Sequence, residues 1–191
     1  MKKINTFTFL SLDGFYAGPH GEIDWFKAIT PDAEYQEFTH AGAQQAGGLM
    51  FGHTTYEMMK SYWPTEAAIK TDPSMADVLN NTWKLVFSKS MSDAADEGNW
   101  KNIKVYNEID ADEIMQMKAW DGKDITILGS GTIVQQLANM DLIDTYHLMI
   151  VPIILGAGKH LFQGVKQTEL KLLNSRSFKN GVVSLQYEPV R

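Results

Sequence analysis

The chain has 191 residues, 44% of them hydrophobic and 21% charged, which suits one folded domain with a sizeable core rather than a disordered chain. A formal net charge of −6 without a Lys/Arg cluster argues against nucleic acid or an anionic membrane as the main partner. The lack of cysteine excludes disulfides, thiolate nucleophiles and cysteine metal sites.

The start, Met1-Lys2-Lys3 followed by an alternating apolar pattern, lacks the unbroken apolar region of a signal peptide, and no stretch is long enough to span a bilayer. The expectation is a soluble, cytoplasmic protein. Ile4 to Leu12, rich in Phe, Thr and Leu, reads as a strand that ends in the turn signal Asp13-Gly14. Gly18, Pro19 and Gly21 make the stretch to Ile29 an irregular loop. Pro31-Asp32 opens a helix to about Ala46, with Asp32 at its positive end, and Gly47-Gly48 stops it. Leu49 to Phe51 is a buried strand; His53 or Thr54 caps a short helix through Met59. A long loop containing Trp63-Pro64 runs from Tyr62 to Pro73, and Ser74 to Asn80 is helical. Strands over Lys84–Phe87, Ile103–Tyr106 and Ile125–Leu128 alternate with helices over Ala111–Trp120 and Thr132–Asn139. That alternation predicts a partly parallel sheet covered on both faces. Ile143 to Val151 is a long strand, and Gly156-Ala157-Gly158 marks a loop. Asn180-Gly181 between Glu169–Phe178 and Val182–Glu188 signals a hairpin whose two turn residues both take positive φ. The sheet is therefore mixed, in a single domain spanning residues 1–191.

Leu128-Gly129-Ser130-Gly131-Thr132 places a glycine pair between a strand and a helix. It has two readings: a seat for cofactor phosphates, where backbone N–H groups meet an anion without a Cβ in the way, or a tight turn that needs positive φ. It is not the dinucleotide fingerprint, whose third glycine would fall at Val134. Gly158-Lys159 followed by His160 is not a P-loop, and Ser130 is not in a nucleophile elbow. Gly52-His53-Thr54-Thr55-Tyr56-Glu57 is a second strand-to-helix junction, able to hold phosphate or merely to cap the helix. Ser88 and Lys89 sit at a third strand end, as phosphate contacts or as a solvated loop. Ligands of open α/β sheets lie outside the carboxyl ends of strands, so three such turns on one edge count for more than any one. The five histidines show no metal-ligand spacing, and no metal is expected. The ten methionines read as core filler.

These turns, with Ser11-Leu12-Asp13-Gly14 in front and Val151-Pro152-Ile153-Ile154-Leu155-Gly156-Ala157-Gly158-Lys159-His160-Leu161-Phe162 behind, resemble the dihydrofolate reductase-like superfamily. The nearer branch is that of the C-terminal reductase domain of the bifunctional riboflavin-biosynthesis enzyme, a pyrimidine reductase. The resemblance implies a three-layer α/β/α fold with a mainly parallel mixed sheet and an antiparallel C-terminal hairpin. It implies NADPH as cofactor: Leu128, Gly129, Ser130, Gly131, Thr132 and Ile133 at the pyrophosphate, His53, Thr54 and Thr55 at the phosphates, Ser88 and Lys89 near the adenosine 2′-phosphate. The family usually has arginine where this chain has His53, and histidine is charged only in part near neutral pH, so NADH stays open beside NADPH.

Hydride transfer needs no protein nucleophile, but a proton must reach the substrate from an acid or from water. Glu34, on the helical face of Phe38 and Ala41, is the candidate carboxylate, with Asp13 second; a solvated glutamate and a turn-forming aspartate are the plain alternatives. Tyr16, Trp25, Phe26 and Phe38 could wall the substrate or pack the loop down. The expected activity is NADPH-dependent reduction of a small heterocycle, pterin-like or pyrimidine-like. The alternatives are a nicotinamide-nucleotide sensor without turnover and, third, a structural protein. A homodimer through the C-terminal strands is expected from family likeness.

Overall fold

The computed structural model describes residues 1–91 and 100–191. An eight-stranded mixed sheet has the order β5-β4-β3-β6-β1-β7-β10-β9. Its strands are β1 (Ile4–Ser11), β3 (Gly48–Gly52), β4 (Trp83–Phe87), β5 (Ile103–Tyr106), β6 (Ile125–Leu128), β7 (Thr145–Val151), β9 (Leu170–Ser177) and β10 (Val183–Pro189). All pairings are parallel except those of β10 with β7 and β9. The mixed sheet and its antiparallel ending are as the sequence predicts.

Period-2 side-chain alternation gives the central strands two different faces. Ile4, Leu10, Met50, Ile125, Ile127 and Leu148 pack beneath α5 (Ala111–Ala119) and α6 (Gly131–Asn139) through Ile114, Met117, Ile133, Val134 and Leu137. The other face carries two smaller clusters. Leu49, Phe51 and Val86 lie against Tyr56 of α2 (His53–Tyr62) and Leu79 of α4 (Pro73–Asn81). Met149, Phe178 and Val182 lie against Tyr35 and Phe38 of α1 (Ala33–Gln44), with Phe7 and Phe9 of β1. A cleft opens between these two clusters.

Three expectations need correction. The stretch from Tyr62 to Pro73 is not all loop: α3 (Glu66–Thr71) forms in it, capped by Thr65, whose side chain accepts from Ala68 N–H. The N-cap of α2 is Gly52 without a side-chain cap, so neither His53 nor Thr54 caps it. The hairpin tip has positive φ at Gly181 alone. Gly181 N–H donates to Phe178 C=O and Phe178 N–H to Val182 C=O, a three-residue loop closed by a left-handed glycine. The loops around Tyr16 and Lys159 also gain order: β2 (Phe15–Ala17) pairs with β8 (Lys159–His160), and Asp24–Ala28 form a 3-10 turn. Among the described residues no helix is long and apolar enough to cross a membrane.

Candidate active-site cleft

β3, β4 and β6 run parallel in matched register, so Gly52, Ser88 and Gly129 leave the sheet at one edge. Gly129 has φ +65°, a left-handed turn that a side chain would strain. The next residue, Ser130, is buried, and its Oγ accepts from Gly52 N–H at 2.9 Å. That bond ties the start of α2 to the start of α6. First-turn N–H groups lack intrahelical acceptors, and the helix dipole makes both ends positive. Two helix N-termini thus meet at one point, a pairing that suits two linked phosphates.

The cleft has a volume of about 1200 Å³. It reaches from this junction, with His53, Thr54, Thr55, Leu128, Gly129, Ser130, Gly131 and Thr132, along the sheet between α1 and α2. Phe7, Phe9, Phe26, Phe38, Met59 and Tyr62 make much of it apolar. Tyr16 lies over Gly131: an added Cβ there would run into its ring. Burial raises the Tyr16 pKa, so the phenol stays neutral.

Other expected site residues lie elsewhere. Ile133 is a core residue of α6. Ser88 is buried, and its Oγ accepts from Ser90 and Met91 N–H groups, which makes it a turn former. Ser90 Oγ in turn meets His53 Nδ1 at 3.2 Å, so a hydroxyl chain joins the second and third turns. Lys89 is exposed beside it.

The two carboxylate candidates are not in the cleft. Glu34 is half exposed and paired with Arg176 of β9, because the outward face of α1 looks toward the sheet edge. Asp13 accepts from the backbone N–H groups of Leu155 and Gly156. A hydrogen bond from Ser11 and these amides hold its pKa down at about 2. It braces two loops as a fixed anion and cannot serve as an acid near neutral pH. Trp25 is buried away from the cleft, whereas its neighbour Phe26, also expected there, lines it, 4.9 Å from the Phe9 ring.

Sequence reasoning passed over Asn5, Thr126, His147 and Gln186, which also line the cleft. Their signal was available: Asn5 alternates with Phe7 and Phe9 on one face of β1, and His147 is a polar residue inside an otherwise apolar run.

Known proteins share this architecture. The model of the RibD C-terminal domain family matches residues 2–184. The uncharacterized protein YyaP of Bacillus subtilis (strain 168) is 30% identical over 179 residues, covering 93% of this chain and 90% of its own. A protein from Shewanella sp. PV-4, provisionally named for riboflavin biosynthesis, superposes with a TM-score of 0.79 at 22% identity over 99% of both chains. The Thermotoga maritima diaminohydroxyphosphoribosylaminopyrimidine deaminase/5-amino-6-(5-phosphoribosylamino)uracil reductase gives a TM-score of 0.68 at 13% identity, over 99% of this chain and 57% of that one.

Proposed function

The chain belongs to the RibD C-terminal domain family and has its pyrimidine reductase-like fold, and from that premise we propose that it is an NADPH-dependent reductase of a small heterocycle. The observation that carries this reading is the junction of two helix N-termini, fixed by Ser130 Oγ and Gly52 N–H, at the mouth of an apolar cleft. The residues there fit a dinucleotide. Gly129 and Gly131 keep side chains out of the turn, and the N–H groups of His53, Thr54, Gly131 and Thr132 can hold phosphate oxygens. The hydroxyls of Thr54, Thr55 and Thr132 add donors at the same wall. When bound, a reduced nicotinamide supplies the hydride.

The chain's own part is to orient and to exclude water. Phe7, Phe9, Phe26 and Phe38 present flat apolar surface to a ring. Among the described residues no glutamate lines the cleft, and its two aspartates are engaged, Asp72 with His40 at 2.8 Å and Asp124 with Lys3 N–H at 2.8 Å. Water at the cleft mouth is therefore the proton source. For the 2′-phosphate of NADPH, His53 and the nearby Lys89 are the available groups, so discrimination against NADH is modest. We also propose a homodimer joined at the β9 edge, where Leu172 and Leu173 are 50% and 42% exposed.

That both carboxylates lining the cleft, Asp72 and Asp124, are already engaged is the specific observation behind the second reading, a nucleotide sensor without turnover. Titrating NADPH and NADH against tryptophan fluorescence, then following NADPH oxidation with dihydropterin and aminopyrimidine substrates, tests both. Binding of neither nucleotide refutes both readings. Tight binding with no oxidation across the substrate set favours the sensor.

A further inference from the structure

The cleft has two chemically opposite ends. Its mouth, at Gly52 and Ser130, collects helix N-termini. Thr126, with Asn5 beside it in register, lies three residues back along β6 from Gly129, roughly 10 Å at about 3.3 Å per residue. There the cleft meets the C-terminal end of α1, whose Gln44 carbonyl accepts from Lys123 Nζ at 2.7 Å. Asp124 adds a carboxylate, held by Lys3 N–H at 2.8 Å and approached by Asn5 Nδ2 at 3.5 Å. A helix C-terminus and a carboxylate both repel an anion; of the two lysines lining the cleft, Lys123 is already engaged by the carbonyl and Lys159 lies on β8, beside Ala17, away from this end.

The chain has two arginines. Arg176 is bound to Glu34 on the outer rim, and Arg191 reaches Asp144 and the carbonyls of Asp141 and Ile143. Neither lines the cleft. No guanidinium fork is available for a phosphate or carboxylate on a substrate.

What the inner end does offer is acceptors and neutral groups. Asn5 Oδ1 is buried and has no hydrogen-bond partner among the described residues. Thr126 lines the cleft next to it, and His147 and Gln186 sit side by side on β7 and β10. Burial lowers the His147 pKa, so the imidazole is neutral, with one donor and one acceptor nitrogen. A buried acceptor without a donor is a defect in an empty fold and a recognition element once a ligand supplies the donor.

We propose that Asn5, Thr126, His147 and Gln186 form a substrate subsite for an uncharged hydrogen-bond donor, such as an amide N–H, ring amine or hydroxyl, and that it rejects phosphorylated substrates. The substrate class is then an elongated, neutral heteroaromatic molecule whose reacting ring lies toward Phe7 and Phe9. This rests on the reductase reading, because it assigns the cleft beyond the phosphate seat to substrate.

Two matched pairs test it: uridine with its monophosphate, and riboflavin with its phosphate ester FMN, each titrated calorimetrically into the NADPH-saturated protein. The expected result is about tenfold or more tighter binding of the uncharged member of at least one pair. Asn5→Leu and His147→Leu should each abolish that preference by weakening the uncharged member, while NADPH quenching persists. Two separate variants, with circular dichroism checking each fold, keep the test decisive if one misfolds. Equal or tighter binding of both phosphate esters overturns the proposal, as does no binding by either uncharged compound or an unchanged preference in the folded variants. Failure of the wild-type protein to bind NADPH refutes the reductase reading instead, which keeps the two outcomes apart.

Discussion

Gly131 opens α6 outside the left-handed region, so alanine there is not strained by its backbone. Alanine in place of glycine within a helix should stabilise by up to about 1 kcal/mol. The obstacle is Tyr16. The new Cβ would fall within its ring, against Cζ and Cε1, and 2.8 Å from Oη. Overpacking of this kind costs about 1–3 kcal/mol unless the ring moves away. Gly131→Ala alone should therefore be neutral or destabilise by up to about 2 kcal/mol. In a Tyr16→Ala background the overlap is gone, and the same change should stabilise. The helix-propensity gain is common to both backgrounds, so the coupling energy isolates the overlap, about 1–3 kcal/mol. Urea unfolding of the wild type, both single variants and the double variant measures it. A coupling below about 0.5 kcal/mol would mean that Tyr16 does not sit on the glycine turn. NADPH titration of the same four proteins adds the functional half: Gly131→Ala should weaken binding by driving the ring across the turn, and Tyr16→Ala should restore it.

Ser130→Ala removes the acceptor of Gly52 N–H and should cost about 1–3 kcal/mol in urea unfolding, with a matching loss of NADPH affinity because the two helix starts separate. Asp13 has a folded pKa of about 2 against a usual 3.8, so its contribution to stability is complete above the higher value and disappears as pH falls toward the lower. Acid unfolding of Asp13→Asn should lack that component between the two values; identical acid profiles would refute the brace. Asp32→Ala removes the N-cap of α1 and the acceptor of Asn180 N–H, so it should lower the urea midpoint, and it should weaken heterocycle binding more than NADPH binding in parallel titrations. Leu172→Lys on the exposed β9 edge should convert a dimer to a monomer in sedimentation velocity, and a monomeric wild type would dispose of that interface.

Local chemistry made the glycine-turn end of the cleft legible. Gly129 takes positive φ, Asp32 caps α1 through the N–H groups of Glu34 and Tyr35, and β6 and β5 have the predicted ends. What escaped depends on partners distant in the chain. The period of α1 put Glu34 beside Phe38, but Arg176, 142 residues away, decides where its carboxylate goes. The pairing of β2 with β8 is too short to leave a periodic pattern and joins segments that no local rule connects. α3 is six residues long, and Trp63-Pro64 just before it reads as loop. In the sequence His147 is one polar residue within a largely apolar strand; only the sheet order, with β7 between β1 and β10, shows that it faces the same cleft as Asn5 and Gln186.

The two walls of the cleft are anchored by different physics. The junction of the two helix N-termini grows from β3 and β6, whose Met50, Ile125 and Ile127 lie in the main core with Ile133 and Leu137 of α6. Moving it means repacking that core, which close packing resists. α1 has no fully buried residue, yet it forms the opposite wall. It is held at its rim: by Asp32, which accepts from Asn180 N–H as well as capping the helix; by Tyr35 and Phe38 against Phe178; by Glu34 with Arg176; and by His40 with Asp72. Three of these four ties lead to the C-terminal hairpin. Exposed polar ties of this kind are individually worth about 1 kcal/mol or less, so α1 belongs to the low-stability end of the fold. The hairpin thus sets the cleft width on the α1 side while the core fixes the glycine-turn side. On the proposed reading, cofactor affinity and substrate selectivity are for that reason separable: changes at the hairpin tip act on the α1 wall without touching the glycine turn.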